Sequence, residues 1–228
     1  ALFPFFFLAG LAVSLNFVVH AGEVGRVYGY DLLGAGTGAV LALLLMFVLH
    51  PFMLVPALLP LLAAAAMIAG GARWRIAALV VLGATEAAVF GLAAPKVNEF
   101  KAIYAPLNVP DSRVVAEVLS PRGVYQLLDN FTERLDTDVS NNAGVLGVPA
   151  PPRSFGLYRD GSRIAALPNG QPEAAHAPAS LDGAPYALLE APRVLVLGGA
   201  GGFRAAEALV LGASHVTVIE PEPVLRDA

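Results

Sequence analysis

The chain has 228 residues, of which 57% are hydrophobic and only 14% charged, and its mean hydropathy is +0.67. Soluble globular proteins carry about 25% charged residues, so this composition excludes an ordinary soluble domain and also a disordered chain. The net charge is −4 and the sequence has no basic cluster, so it lacks the positively charged patch that binding to nucleic acid requires. Because the chain has no cysteine, disulfides and thiolate metal sites are excluded.

The charged residues are distributed very unevenly along the chain. Six lie within positions 1–94 and twenty-six lie after them. We therefore predict a membrane part at 1–94, a linker at 95–112, a small β-rich domain with a loop at 113–185, and the start of a cofactor-binding domain at 186–228. The first residue is Ala rather than Met, and the last residues closely follow a predicted strand, so we expect a fragment of a longer protein.

Four apolar stretches in the first part predict four membrane-spanning helices. A helix needs about 20 apolar residues to cross the hydrocarbon layer, and the stretches are Leu2–Val19, Val27–Leu49, Phe52–Ala69 and Ile76–Ala94. Two alternatives are a signal peptide for the first stretch and a buried helical core for all four. The basic residues near the predicted membrane ends are balanced between the two sides and do not decide the topology.

Asp31 and two nearby glycines stand out within the second stretch. An acid inside a membrane is costly and usually functional, but an acid near a helix N-terminus is stabilised by the helix dipole. We leave both interpretations of Asp31 open. Gly34 and Gly38 follow the small-xxx-small pattern, which indicates close packing between helices.

Short β-type runs follow the linker, and a β-α-β pattern ends the chain. The runs are Arg113–Leu119, Gly123–Asp129 and Phe155–Tyr158, and a segment rich in Pro, Ala and Gly at 167–185 predicts an exposed loop. The apolar run Arg193–Leu197 is typical of a strand buried on both faces. A predicted helix at Phe203–Leu211 ends at Gly212, and a second buried strand follows at Val216–Ile219.

The glycine-rich turn of this β-α-β pattern predicts a nucleoside-binding site. Glycines after a first strand let a ligand approach the helix N-terminus, and an acid about 20 residues later can accept hydrogen bonds from a ribose. The third glycine of a dinucleotide fingerprint is replaced by Arg204, which favours S-adenosylmethionine-type enzymes over those that bind NAD. The candidate cofactor-binding residues are Gly198, Gly199, Gly201, Gly202 and Glu220. The alternative is a tight turn without a ligand.

Several motifs, taken in chain order, resemble those of membrane-bound spermidine synthase-like proteins. These proteins are polyamine aminopropyltransferases with an N-terminal transmembrane domain. Tyr-Gly-Tyr-Asp-Leu-Leu-Gly-Ala at 28–35 is similar to the opening of a membrane helix in that group. Ser-Pro-Arg-Gly-Val-Tyr at 120–125 and Leu-Tyr-Arg-Asp-Gly at 157–161 are similar to strands of its small β domain. The segment 185–189 stands where the family has a Tyr-led helix before the glycine loop.

The resemblance implies a fold and an activity. The fold is a transmembrane helical bundle, then a small β domain, then the start of an α/β Rossmann-like domain of the S-adenosylmethionine type. The activity is transfer of an aminopropyl group from decarboxylated S-adenosylmethionine, as co-substrate, to a polyamine, without a metal. Glu220 would bind ribose, while Asp160 and Tyr186 would border the substrate cleft. Soluble members carry an Asp at the place of Gly201, and their catalytic Asp corresponds to a position beyond Ala228, so no catalytic residue is assigned.

Two other functions stay open at this point. One is an S-adenosylmethionine-dependent methyltransferase on the same fold, and the other is a polyamine transporter or sensor without catalysis. The expected partners are a polyamine, the lipid bilayer and a second copy of the chain in a homo-oligomer. We expect an integral protein of a bacterial inner membrane with its later part in the cytoplasm.

Overall fold

A computed structural model describes residues 3–92, 97–137, 145 and 147–222. The chain divides into two compact units, Ala1–Val89 and Phe90–Ala228.

Helices make up most of the described residues of the first unit. They are α1 (Phe3–Val19), α2 (Val24–Leu45), α3 (Pro51–Ala69) and α4 (Ala72–Leu92), and a 3₁₀ turn at Ala21–Glu23 precedes α2. The start of α3 is specified locally, because Pro51 occupies its first turn and the Phe52 N–H donates to Nδ1 of His50 at 3.3 Å.

Two of these helical segments are long and apolar enough to cross a membrane. Ala21–Leu45 has 25 residues with a mean hydropathy of 1.4, and Pro51–Ile68 has 18 residues with a mean hydropathy of 2.1. Buried residues make up none of the first segment and 11% of the second. A helix is present at each of the four predicted spans, but only these two reach that length and apolarity among the described residues.

The structure bears on both interpretations of Asp31. Asp31 is exposed and is the eighth residue of α2, about two turns inside the helix. The dipole effect falls off within the first turn, so the helix N-terminus does not explain this acid. Among the described residues, a Cβ atom added at Gly34 or Gly38 would meet no atom within 4 Å, so this part of the structure does not show the predicted close packing of helices at these glycines.

The second unit begins with a four-stranded antiparallel sheet. Its strands are β1 (Arg113–Ser120), β2 (Gly123–Asp129), β3 (Ser154–Arg159) and β4 (Ser162–Pro168), in sequential order, and a short helix α5 (Tyr104–Leu107) precedes them. The β3–β4 turn is made by Asp160 and Gly161, whose φ angles of 50° and 77° suit the tight turn of a two-residue hairpin. Sequence analysis predicted the first three strands and placed the end of β4 in a loop.

The core of this unit connects the sheet to the segment that follows it. Tyr125, Leu157 and Leu167 form one buried cluster of the sheet. Leu135, Ala166 and Phe203 form another, and Phe203 is only 1% exposed. Phe203 is the first residue of the next helix, so the same core holds the sheet and that helix together.

A single β-α-β unit follows. Strands β5 (Arg193–Leu197) and β6 (His215–Ile219) are parallel, and α6 (Phe203–Val210) connects them. The end of α6 is as predicted: Gly212 has a φ of 91°, and the Ala213 N–H donates to the Ala208 carbonyl at 3.0 Å, which is a Schellman cap.

The prediction that β5 is buried on both faces was wrong. Val194 and Val196 are half-buried, whereas Leu195 and Leu197 are 59% and 75% exposed. The physical reason is that side chains alternate along a strand, and in the described part of the chain the face that carries the two leucines is left uncovered.

The predicted exposed loop at 167–185 was wrong in part, since residues 169–171 are exposed and irregular but much of the remainder is not. Leu167 belongs to β4, Ala177 and His176 are buried, and Leu181–Leu188 forms a 3₁₀ helix that contains Tyr186. Small side chains allow the backbone to approach its neighbours closely, and here the Gly183 Cα faces the Ala177 carbonyl so tightly that a Cβ would lie 2.8 Å from its oxygen.

Candidate functional site

The glycine loop between β5 and α6 is shaped by backbone angles that other residues rarely adopt. Gly198, Gly201 and Gly202 have φ angles of 83°, 60° and 94°, which only glycine populates without strain. The Gly198 N–H donates to the Ile219 carbonyl at 2.9 Å, and the Gly202 N–H donates to the Gly199 carbonyl at 2.9 Å. The loop is therefore tied to the end of β6 before α6 begins.

Gly201 also lies against β4. A Cβ atom at this position would lie 2.6 Å from Cδ2 of Leu167 and 2.8 Å from Cδ of Pro168. Carbon atoms pack at about 3.5–4.0 Å, so no side chain fits here without moving β4. An Asp side chain at position 201 is therefore incompatible with the packing in this chain.

The carboxylate of Glu220 contacts the glycine loop directly. Oε2 of Glu220 accepts a hydrogen bond from the Gly199 N–H at 2.8 Å, and Oε1 accepts one from the Glu222 N–H at 3.0 Å. A Cβ at Gly199 would lie 2.8 Å from Cγ1 of Val218, so the glycine also permits the close approach of the loop to β6. The candidate ribose acid is held in one orientation by two backbone donors.

A cavity of about 360 Å³ lies beside the start of the loop. Three of the wall residues are charged, namely Asp182, Arg204 and Glu207, and Tyr186 adds a phenol. The other lining residues are Val194, Leu195, Val196, Leu197, Gly198 and Leu211. Two carboxylates against one guanidinium leave this cavity with an excess of one negative charge.

The charged residues of the cavity form a connected network. Glu207 is 4% exposed; its Oε1 lies 2.9 Å from Nε2 of the buried His176, and its Oε2 accepts from Nη1 of Arg204 at 2.8 Å. Nη1 of Arg204 also reaches Oδ2 of Asp182 at 2.6 Å. A buried carboxylate of this kind needs such partners, since an unpaired one would be strongly destabilising.

This network changes the proton affinity of Tyr186. Burial and then the negative charges of Glu207 and Asp182 raise the pKa of the Tyr186 phenol above its usual value. The phenol is therefore neutral at physiological pH and can donate a hydrogen bond into the cavity.

The candidate cleft residue Asp160 lies elsewhere in the unit. Its Oδ1 accepts from the Val124 N–H at 2.9 Å, and its own N–H donates to the Val124 carbonyl at 2.9 Å. These bonds hold the β3–β4 turn against β2. Of the candidate site residues, Tyr186 and Gly198 are among the described residues that line the cavity, whereas Asp160, Gly199, Gly201, Gly202 and Glu220 are not.

Sequence reasoning did not find His176, Asp182, Glu207 or Glu222. The pair Arg204 and Glu207, three residues apart on α6, was the only local signal, because such spacing places two side chains on one helix face. The others are distant in sequence and meet only in the folded unit. In the part of the chain that the structure describes, no group of three or more His, Asp or Glu side chains is arranged to hold a metal ion.

Comparisons with protein-family models, with curated proteins and with solved structures find no match to this chain.

Proposed function

We propose that this chain is the membrane-anchored, nucleoside-binding part of an aminopropyltransferase-like protein. In this proposal it binds decarboxylated S-adenosylmethionine, whose aminopropyl group passes to a polyamine. The observation that carries the proposal is the contact between the carboxylate of Glu220 and the N–H of Gly199, since it joins a glycine turn and an acid at the ends of two parallel strands. The motifs quoted above supply the choice of reaction.

Glu220 supports the nucleoside half of this ligand. An ionised carboxylate offers about four acceptor positions, and the two backbone donors leave positions free on both oxygens. In this proposal two ribose hydroxyls donate to these positions. Hydrogen bonds to a charged group contribute about 1.5–3 kcal/mol each.

The charge of the cavity supports a decarboxylated ligand over S-adenosylmethionine. Decarboxylated S-adenosylmethionine carries a sulfonium and a primary ammonium, both positive, and no carboxylate. The cavity has an excess negative charge from Asp182 and Glu207, and its Arg204 is already paired. A methyltransferase would instead need to accommodate the ligand's carboxylate beside these two acids, which like-charge repulsion opposes.

The transfer reaction sets a requirement for proton removal. The neutral acceptor amine attacks the propyl carbon next to sulfur, a C–N bond forms, and the C–S bond breaks to release methylthioadenosine. Because the acceptor amine is an ammonium ion at neutral pH, it must lose a proton before it attacks, and the product is a secondary ammonium. We assign no general base among the described residues, and their part in the proposed reaction is to bind and orient the ligand.

Membrane anchoring is the second part of the proposal. The segments Ala21–Leu45 and Pro51–Ile68 have the length of a span, and at most about a tenth of either is buried. A soluble core helix would bury its apolar residues against other elements, so the exposure of these segments favours lipid as their surrounding. We place Phe90–Ala228 in the cytoplasm, where the proposed co-substrate is expected.

The test is ligand affinity measured by calorimetry on the purified full chain in detergent. We expect Glu220→Ala to weaken the binding of methylthioadenosine roughly ten- to a hundredfold, which is about 1.4–2.8 kcal/mol. Glu190→Ala is the matched control, because Glu190 is an exposed glutamate outside the loop, and it should leave the affinity unchanged. Tighter binding of S-adenosylmethionine than of its decarboxylated form would favour the methyltransferase instead.

A further inference from the structure

A set of contacts outside the candidate site converges on the loop that follows β6. The side chain of Glu222 is 13% exposed and accepts hydrogen bonds from the Tyr125 hydroxyl and from Nη1 of Arg159, the latter at 3.1 Å. Tyr125 on β2 and Arg159 on β3 are direct partners in the sheet. From the β1–β2 turn, Arg122 donates through Nη1 to the Pro221 carbonyl at 3.1 Å.

The backbone of Glu222 continues this chain of contacts into the glycine loop. Its N–H donates to Oε1 of Glu220 at 3.0 Å, while Oε2 of the same carboxylate accepts from Gly199. A continuous path therefore runs from the sheet through Glu222 to Glu220 and the loop. Glu222 lies beyond Pro221, and its partners on the sheet are far from it in the sequence.

We propose that Glu222 is a positioning residue, through which the small β-sheet orients the Glu220 carboxylate for its ligand. The proposal rests on the proposed nucleoside site at Glu220. Glu222 touches no ligand in this scheme. It fixes the loop that follows β6, so the Glu220 side chain is already ordered before the ligand binds. Binding then costs less conformational entropy.

The burial of the contacts explains why the orientation depends on this residue. Tyr125 is 1% exposed, and burial together with the Glu222 carboxylate raises the pKa of its phenol, so it remains a neutral donor. Truncation of Glu222 removes the acceptor from both Tyr125 and Arg159, so that of the contacts described above only the Arg122 bond to the Pro221 carbonyl still holds the loop to the sheet. Ordering a released side chain on binding costs about 0.5–1.5 kcal/mol, so we expect Glu222→Ala to weaken methylthioadenosine binding about two- to tenfold.

A matched control lies on the same sheet. Asp129 at the end of β2 is 14% exposed and holds Arg113 at 3.0 Å and Arg153 at 3.1 Å. It is four residues from Tyr125, about 13 Å along the strand. Asp129→Ala removes an acid of equal burial with two cationic partners, so it should change the stability of the sheet but not the affinity for methylthioadenosine.

A double-mutant cycle separates positioning from a general structural role. The full chain in detergent is titrated with methylthioadenosine as wild type, Glu222→Ala, Glu220→Ala and the double variant. If Glu222 acts through Glu220, its removal should have no further effect in the Glu220→Ala background. Equal losses in both backgrounds would overturn the positioning role. Glu222→Gln keeps an oxygen acceptor for Tyr125 and should lose less affinity than Glu222→Ala.

A second measurement needs no ligand. Hydrogen exchange followed by mass spectrometry reports the protection of the Gly199 amide, which donates to Glu220. We expect faster exchange of the loop peptide in Glu222→Ala than in wild type or Asp129→Ala. Unchanged exchange would overturn the positioning role by itself. If exchange changes but Glu220→Ala leaves the affinity unaffected, the proposed nucleoside site fails and the contact path is structural only.

Discussion

Replacement of Gly201 by Ala tests the packing of the glycine loop against β4. Two separate effects oppose this substitution. Gly201 has a φ of 60° and a ψ of 25°, a left-handed conformation that costs a residue with a Cβ about 1–2 kcal/mol. The new methyl group would also lie 2.6 Å from Leu167 and 2.8 Å from Pro168, and overpacking of this kind costs about 1–3 kcal/mol. We expect a total destabilisation of roughly 2–5 kcal/mol.

Gly212→Ala provides the control for the backbone effect alone. Gly212 has a φ of 91°, but a Cβ there would meet no atom within 4 Å. This variant should therefore lose only the conformational contribution, about 1–2 kcal/mol. The difference between the two variants isolates the contact between the loop and β4.

Urea unfolding followed by pulse proteolysis measures this difference on the full chain in detergent. Urea lowers the free energy of unfolding by about 1–3 kcal/mol per molar. A difference of about 2 kcal/mol therefore places the midpoint of Gly201→Ala roughly 1 M below that of Gly212→Ala. Equal midpoints would refute the conclusion that position 201 has no room for a side chain.

Three further predictions concern pH, membrane association and sidedness. Burial and then the Glu133 carboxylate raise the pKa of the Tyr158 phenol well above the usual 10.0. The neutral phenol therefore stabilises the fold fully below about pH 10, and this stabilisation is lost as the pH rises further. Unfolding experiments should show a steeper loss of stability above about pH 10 in wild type than in Tyr158→Phe. Residues 1–94 expressed alone should remain with membranes after alkaline carbonate washing, and their recovery in the wash would contradict membrane insertion. A Cys placed at Ser162, exposed at the start of β4, should resist an impermeant maleimide in whole cells, and ready labelling would place Phe90–Ala228 outside.

Local signals predicted the elements whose cause is local. The helical spacing after the glycine loop and Gly212 at its end predicted α6 and its Schellman cap, because both depend on residues within one or two turns. The glycine and acid spacing selected Gly199 and Glu220 as candidate ligand residues, and the structure adds that they contact each other at the shared edge of two parallel strands.

The rest depends on contacts between distant residues. Composition alone does not distinguish the buried segment around His176 and Ala177 from an exposed loop, because small residues suit both close packing and turns. The partners of Glu222 lie 63 and 97 residues away on β3 and β2. The exposure of Leu195 depends on which elements cover β5, and an apolar run carries no information about its neighbours.

The central claim is that Glu220 binds the ribose of an adenosyl ligand, and discrimination between two nucleosides tests it most directly. Adenosine and 2′,3′-dideoxyadenosine differ only in the two ribose hydroxyls from which the Glu220 carboxylate would accept hydrogen bonds. Calorimetry should show that the wild-type chain binds adenosine at least about tenfold more tightly, corresponding to 1.4 kcal/mol, and that Glu220→Ala binds both nucleosides equally. Equal affinity of the wild-type chain for the two nucleosides would contradict the claim.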